Sequence, residues 1–526
     1  MESVRLTTNY IPSDEEIKDI RQHILLRSEE LARLDERIRN LSAERDEIRA
    51  YIDSQKALIS HPRRLPADVV QEIFIACLPT TRNAVMSTKE APLLLCRICS
   101  AWRTIALSTP RLWASLHAPL DFILLKESRI SAVTQWLQRS AACPISISIC
   151  DGSPWEWGIQ ALPTPCRDAL TRSLCAVANR WRHAKFDTIS VEMANELTDI
   201  TSPLLESVEF SGRIPTPNQL KFFQVPNLRT VTLHLDDSES LNAVLTMPLM
   251  WNRLQYLTIT RISFSDLIIL LERCQELISL IVTPFIDSVP DPFPTETILP
   301  FLASFRILGS GFILPHFLGQ LTSHLSVPGL RQFAVPAATC QYGPQDSFFL
   351  VSLGKKSPFV EDLTIYLPSL TAQSLPETLR AFSSLARLVV FDVNTWAWDK
   401  DGFQSCTVTL LLTVLSDSAT CSMLQELVIH DCDSLDYSKS TLDEFIRQRM
   451  ERAHPLRRLE ISFQWPESLV LDLMSETEIR SYRLQGLDIS LRWQNATPWG
   501  RLIPLTHGRA WGQRIYESLA LCALYY

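Results

Sequence analysis

The sequence predicts a multidomain α/β chain in which helices come first and short strands recur afterwards. Three observations predict it. Residues 14–60 carry apolar side chains on a seven-residue beat without proline or glycine. Residues 65–79 and 91–116 each space their apolar side chains by three and four. From Leu205 onward, a motif of apolar, two of any kind, apolar, one of any kind, apolar returns eleven times.

The first element is a helical rod. Ser13 and Glu16 have the form of a capping box, and Asp14 and Glu15 place negative charge where a helix start favours it. One seam position reads Ile17, Ile24, Leu31, Ile38, Arg45, Ile52, Ile59; the other reads Ile20, Arg27, Leu34, Leu41, Ile48, Gln55. Ten of these thirteen residues are apolar, which fits a spacing of 3.5 better than the 3.6 of a lone surface helix. Two readings follow for residues 14–60: a coiled-coil homodimer, or a single helix folded back on the next domain.

The second element is a small helical hook. Leu65–Pro66 open a helix whose face is Val69, Val70, Ile73, Phe74 and Cys77, closed by Pro79. A polar connector, 80–91, leads to a second helix expected from Pro92 through Ile98, Cys99, Trp102 and Ile105, with Leu112–Trp113 as a terminal clamp. A unit of about fifty residues has little core of its own and gains by packing on a neighbour.

Composition narrows the functional classes. The 526 residues leave room for about two to four domains, and 46% apolar content supports a sizeable core. A net charge of −8 supplies no positive field for nucleic acid or an anionic membrane, so neither is an expected partner. The longest apolar runs, 267–271 and 409–415, fall short of the roughly 18 residues of a membrane span. Thirteen cysteines without paired spacing, and an N-terminus without an apolar leader, point to cytoplasm or nucleus with reduced thiols. Glycine is scarce and no phosphate-cradling glycine motif occurs, so no cofactor is expected.

At LPADVVQEIF (65–74), PLLLCRICSAWRTIAL (92–107) and PRLW (110–113) the hook resembles an F-box, in the F-box-like variant of mushroom-forming fungi. The resemblance is close over roughly residues 30–120; Asp68 stands where glutamate is frequent, and the connector is longer than usual. It implies docking onto a Skp-type adaptor that links to a cullin scaffold. The implied contact residues are Leu65, Pro66, Val69, Val70 and Ile73, with Phe74, Ile98, Trp102 and Trp113 as core.

The recurring motif starts at Leu205, Leu228, Leu254, Leu277, Leu302, Leu330, Val360, Leu385, Leu424, Leu456 and Leu484, and eight of its ten intervals lie between 23 and 30 residues. That is the period of a leucine-rich repeat, in which stacked units share one core. Of the asparagine or cysteine positions that normally tie adjacent turns, only Cys432 is filled, so the array should be irregular, with insertions after Leu388 and Leu427. Residues alternating with the buried ones should face the concave side. They include Thr230, Thr232, His234, Tyr256, Thr258, Asp362, Thr364, Tyr366, Arg387, Phe391, Glu426, His430, Arg458 and Glu460. Their mixed charge, hydroxyls and aromatics suit a protein target more than a phosphate backbone.

Candidate chemistry is sparse. Cys96 and Cys99 form a lone CxxC on an apolar face, whereas zinc sites need further ligands, so no metal site is expected. His430–Asp431–Cys432 unites the residue types of a cysteine nucleophile site, but neighbours on a strand point to opposite faces. No catalytic residue is expected.

The predicted organisation is therefore a disordered start (1–13), a heptad helix (14–60), an all-α F-box-like unit (61–117), a linker and capping region (118–203), an irregular leucine-rich-repeat solenoid (204–498) and a C-terminal cap or tail (499–526). The resemblance implies a substrate receptor of an SCF (cullin-RING) ubiquitin ligase, the solenoid holding an unknown target protein. The alternative is a coiled-coil and leucine-rich-repeat scaffold outside any ligase.

Overall fold

The computed structural model describes residues 10–59, 64–119, 127–150, 164–186, 191–211, 221–234, 244–284, 296–308, 315–335, 348–392, 406–432, 438–463 and 474–493. The expectations for residues 1–9 and for the tail at 499–526 lie outside these.

Helix α1 runs Asp14–Leu58, 45 residues without a break. Its start is closed reciprocally: the Ser13 amide donates to Glu16 Oε2 at 2.9 Å, and the Glu16 amide donates to Ser13 Oγ at 3.4 Å. Helix α2 spans Ala67–Ala76 with Pro66 at its N-cap. The second helix of the hook is shorter than the sequence predicts. Residues Leu95–Arg97 form a 3-10 turn, and α3 begins only at Ser100, running to Leu107 with the Cys99 sulfur accepting from the Trp102 amide. A 3-10 turn at Pro110–Trp113 ends the unit.

Sixteen strands follow among the described residues. They are β1 Ser115–Pro119, β2 Ile145–Cys150, β3 Trp181–Phe186, β4 Ser207–Ser211, β5 Thr230–His234, β6 Tyr256–Ile262, β7 Ser279–Pro284 and β8 Thr297–Ile298. Then come β9 Ser304–Ile307, β10 Leu325–Ser326, β11 Gln332–Val335, β12 Asp362–Tyr366, β13 Arg387–Phe391, β14 Glu426–Cys432, β15 Arg458–Phe463 and β16 Asp488–Trp493. Fourteen of them form one parallel sheet in chain order; β8 and β10 pair separately. Helices return between most neighbours: α4 Glu127–Arg139, α5 Thr164–Cys175, α6 Val191–Leu197, α7 Phe264–Arg273 and α8 Pro315–His324. They continue as α9 Phe348–Lys356, α10 Ser374–Ala381, α11 Val408–Ser416, α12 Lys439–Met450 and α13 Glu476–Leu484. The result is a mixed helix and parallel-strand array of leucine-rich-repeat-like layout, one strand per unit.

Period-two alternation builds the core. Val208, Val231, Leu257 and Leu280 stand in register across β4–β7, and Leu363, Leu388, Leu427 and Leu459 do the same across β12–β15. All are at most 1% exposed. Each such burial is worth about 1.5–3 kcal/mol over an exposed position. Helices pack on the same side and close the core; a Cβ on Gly354 of α9 would stand 2.8 Å from Ala381 Cβ, so glycine permits that close approach.

Two devices tie the units together in place of the missing asparagine ladder. First, from β4 to β14 the carbonyl just ahead of each strand of the large sheet accepts two amides from the next unit: Glu206 from Arg229 and Thr230, Arg229 from Gln255 and Tyr256, and so on through Gln425 with Arg457 and Arg458. Second, basic side chains cap the carbonyl ends of helices one unit back. Arg180 reaches the Leu137 carbonyl of α4, Lys356 reaches Thr322 of α8, and Arg452 reaches Ser416 of α11 at 2.7 Å. A cation at a helix C-terminus is favoured by the local dipole. Arg449 extends this device into the interior, donating to the Cys421 and Thr420 carbonyls at 2.7 and 3.0 Å while 0% exposed.

Two sequence readings need correction. The sheet begins at Ser115, not at 204: β1–β3 are full members, and the stretch read as linker and cap is part of the array. Strand-like alternation is legible at 144–150 and 179–191, but the leucine spacing does not mark these strands as members of the array, because Trp113 and Trp181 stand where later units start with leucine, followed by Leu116–Ala118 and Ala184–Phe186 in register. At the other end, Leu484 does not open a strand. It lies in the last turn of α13, 85% exposed, and Ile489 pairs with Leu459, so the final motif sits two residues later.

Candidate interaction surfaces

The hook packs around Phe74, which is fully buried with its ring 4.9 Å from Trp102 in an edge arrangement. Val70 joins it at 3% exposure, so it is a core residue and cannot serve as a contact. The three-and-four spacing of α2 puts Val69, Val70, Ile73, Phe74 and Cys77 on one face, but only Val70 and Phe74, four apart, are buried. Val69 and Ile73, one residue ahead of each on the turn, form a neighbouring stripe that Leu65 continues before the helix, exposed by 39–43%, with Pro66 exposed beside them. Ile98, read as core, is 54% exposed because it precedes α3 and escapes that helix's periodicity. Leu94 and Leu107 are also exposed, so apolar surface is present on three segments of the unit.

Trp113 joins hook to sheet. Its indole Nε1 donates to the Ala106 carbonyl at 2.9 Å, its ring meets Trp136 of α4 edge-on at 4.9 Å, and the Arg139 guanidinium lies 4.7 Å above it. The polar connector also docks: Val85 bridges His117 in β1, and Asn83 Oδ1 accepts from Ser115 and Ser146. The helical unit and the array therefore share one continuous core.

The second face of the sheet divides into two halves. Across β4–β9 the first row reads Ser207, Thr230, Tyr256, Ser279, Ser304; across β11–β16 it reads Gln332, Asp362, Arg387, Glu426, Arg458, Asp488. The second set alternates in charge and pairs internally: Arg387 lies 3.1 Å from Asp362 and 3.4 Å from Glu426. Buried Glu460 is held by Arg458 at 2.8 Å and Arg492 at 3.0 Å. Tyr366 and Phe391, read as target-binding, are only 6% and 5% exposed; with Val389 and Val428 they form a second apolar cluster and are withdrawn from contact. His430 stacks on Phe391 at 4.8 Å, and burial lowers its pKa. Tyr256, 46% exposed, is the open aromatic of the other half. It lines a cleft of about 500 Å³ with Ile281, Arg306, Arg331, Glu361 and Asp362. His234 lies 3.6 Å from Glu209. Burial pulls the Glu209 pKa up, but bonds from His234 and Lys185 outweigh it and hold the carboxylate below its usual range.

Cys432 and His430 do not meet. Asp431 takes a left-handed backbone, φ 56°, at a bulge, so Ile429 and Cys432 both enter the core while His430 stays on the second face. Among the described residues no group of three histidine, cysteine or carboxylate side chains is placed to hold a metal, and no helix is long and apolar enough to cross a membrane. Burial pushes the thiols of Cys175, Cys274, Cys406 and Cys421 up to about 12.

No protein-family model matches the chain, and no curated protein does. Solved structures to which it is similar include the Rad7 and Elc1 complex of yeast, with TM-score 0.30 and 14% identity over 62% of this chain and 88% of that one. The leucine-rich repeat-containing protein LegL7 of Legionella pneumophila gives TM-score 0.30 and 11% identity over 63% and 87%. A Bacteroides fragilis protein gives TM-score 0.29 and 10% identity over 59% and 74%. At such TM-scores the superposition is partial; strand order and register carry the description of the fold.

Proposed function

We propose that this chain is a non-enzymatic substrate receptor of a cullin-RING ubiquitin ligase, acting in the cytoplasm or nucleus. Its F-box-like hook would hold a Skp-type adaptor and its repeat solenoid a target protein. The observation that carries this reading is the stripe Leu65, Pro66, Val69 and Ile73, left exposed at the start and along one face of a helix that buries Val70 and Phe74 in its own unit. Apolar residues spaced by four on an exposed helix cost solvation unless a partner covers them. The junction at Trp113 gives the stripe a fixed place relative to the sheet, as a receptor needs in order to raise a target's local concentration beside the ligase.

On the sheet, the cleft where the two halves meet is the better target surface, because it sets exposed Tyr256 and half-buried Ile281 beside the polar groups of Arg306, Arg331, Glu361 and Asp362. The test is co-purification of the full chain with a purified Skp-type adaptor. Wild type should retain it. Leu65→Asp with Val69→Asp should lose it while the melting curve stays unchanged, since both side chains are exposed. Failure of folded wild type to bind any adaptor overturns the ligase reading and leaves the scaffold alternative.

A further inference from the structure

We propose that the seam of α1 is covered by the same seam of a second copy of this chain, in a parallel, in-register, two-stranded coiled coil. The helix spans roughly 67 Å at about 1.5 Å per residue, and among the described residues nothing shields its apolar stripe. Ile24, Leu31, Leu34, Ile38, Leu41 and Ile48 are each 51–60% exposed. A helix destined for a globular surface repeats its apolar residues every 3.6; this one repeats every 3.5, which stays in line only against a helix supercoiling with it. The helix is thus not folded back on the next domain, the other reading of the sequence. Its seam offers on the order of the ~800 Å² per partner that stable interfaces bury.

Charge selects a second copy, and the parallel orientation. In register, Glu16 of one helix faces Arg21 of the other, and Glu44 faces Arg49, each pair occurring twice by symmetry. Arg45, polar within the seam, lies beside Glu44 of the second copy. The like-charged approach of Glu30 to Asp35 is relieved by Arg27, already 2.6 Å from Glu30. The centred antiparallel arrangement instead sets Asp35 against Asp35, Arg37 against Arg37 and Glu30 against Glu44, whereas the seam arginines meet arginines in either orientation, Arg27 and Arg45 each facing its own copy in the parallel coil and each other in the antiparallel one. Polar seam layers of this kind fix register. The consequence is a bivalent molecule with both hooks at one end of the rod, and it holds whatever the hook binds.

Sedimentation equilibrium of the full chain at micromolar concentration should give twice 59.8 kDa. Leu34→Asp with Leu41→Asp should return it to the single-chain mass with an unchanged near-ultraviolet spectrum, whereas the outward Ala43→Asp should stay dimeric. Leu41→Cys should cross-link copy to copy under mild oxidation and Ala43→Cys should not; residues 1–76 contain no cysteine. A wild type of single-chain mass, or a dimer indifferent to the seam substitutions, overturns the interface. A dimer that Leu41→Cys fails to cross-link overturns the parallel register.

Discussion

Aliphatic side chains serve opposite ends in α1 and in the sheet. Along β12–β15 the core-facing residues are sealed to at most 1% exposure by neighbouring strands and the helices of the same chain. Along α1 the seam is just as regular and stays half exposed. Hydrophobic period therefore states which face must be covered, and only the fold states by whom. Between these extremes lies α2, which buries Val70 and Phe74 in its own unit and leaves Leu65, Val69 and Ile73 outside.

The strongest blow to this contrast should fall where the two regimes join. Trp113→Ala removes a fully buried indole shared by hook and sheet, and should cost about 3–5 kcal/mol in chemical denaturation. Residues 64–113 should become sensitive to protease along with the first strands. Selective loss of the hook alone would show that the core is not continuous.

Next comes the same substitution in both regimes. Leu427→Ala, at 0% exposure, should cost about 2–5 kcal/mol. Leu34→Ala, at 51%, should leave the unfolding of the sheet unchanged and weaken only self-association. Equal losses would mean that α1 packs on its own chain.

A smaller effect tests the basic capping device. Arg449→Met would remove one of two donors from each of the Thr420 and Cys421 carbonyls, which keep Arg452 at 3.5 Å and the Leu424 amide at 3.1 Å, so each lost bond should cost about 0.5–1.5 kcal/mol. Relief of a buried charge opposes it, since burial already lowers the Arg449 pKa to about 10. A more stable variant would show that the arginine is tolerated and does not stabilise.

The smallest is a pH effect at His430. Its folded pKa lies below the usual 6.5, so as pH falls under about 6.5 the unfolded chain takes the proton first and stability declines. Above that pH the residue should contribute no slope, and His430→Gln should flatten the acid limb measured by thermal melting. A slope that persists in the variant would assign it elsewhere.

Much of this architecture is legible in the residues. The capping box at Ser13, the unbroken α1 and the strands after Leu205 follow from spacing and local chemistry alone. What spacing could not show is what one residue does in two roles. Trp113 closes the hook and opens the first repeat, so the alternation at 144–150 and 179–191 reads as a cap and not as part of the array. Alternation predicted which side chains face away from the core, but not that Tyr366 and Phe391 would bury one another with Val389 and Val428 as neighbours in register. Ile98 was misplaced because periodicity cannot foresee that a helix starts two residues later. The replacement of an asparagine ladder by arginine and lysine caps has no local signature, since each cation acts on a helix one unit away.

The account rests on the outer stripe of α2 being covered by a second protein. Hydrogen exchange of the full chain with and without a saturating Skp-type adaptor tests this most directly. The account predicts slowed exchange across residues 67–77 and 94–99, with the strands from 205 to 493 unaffected. Unchanged exchange across α2 in the presence of the adaptor would contradict it.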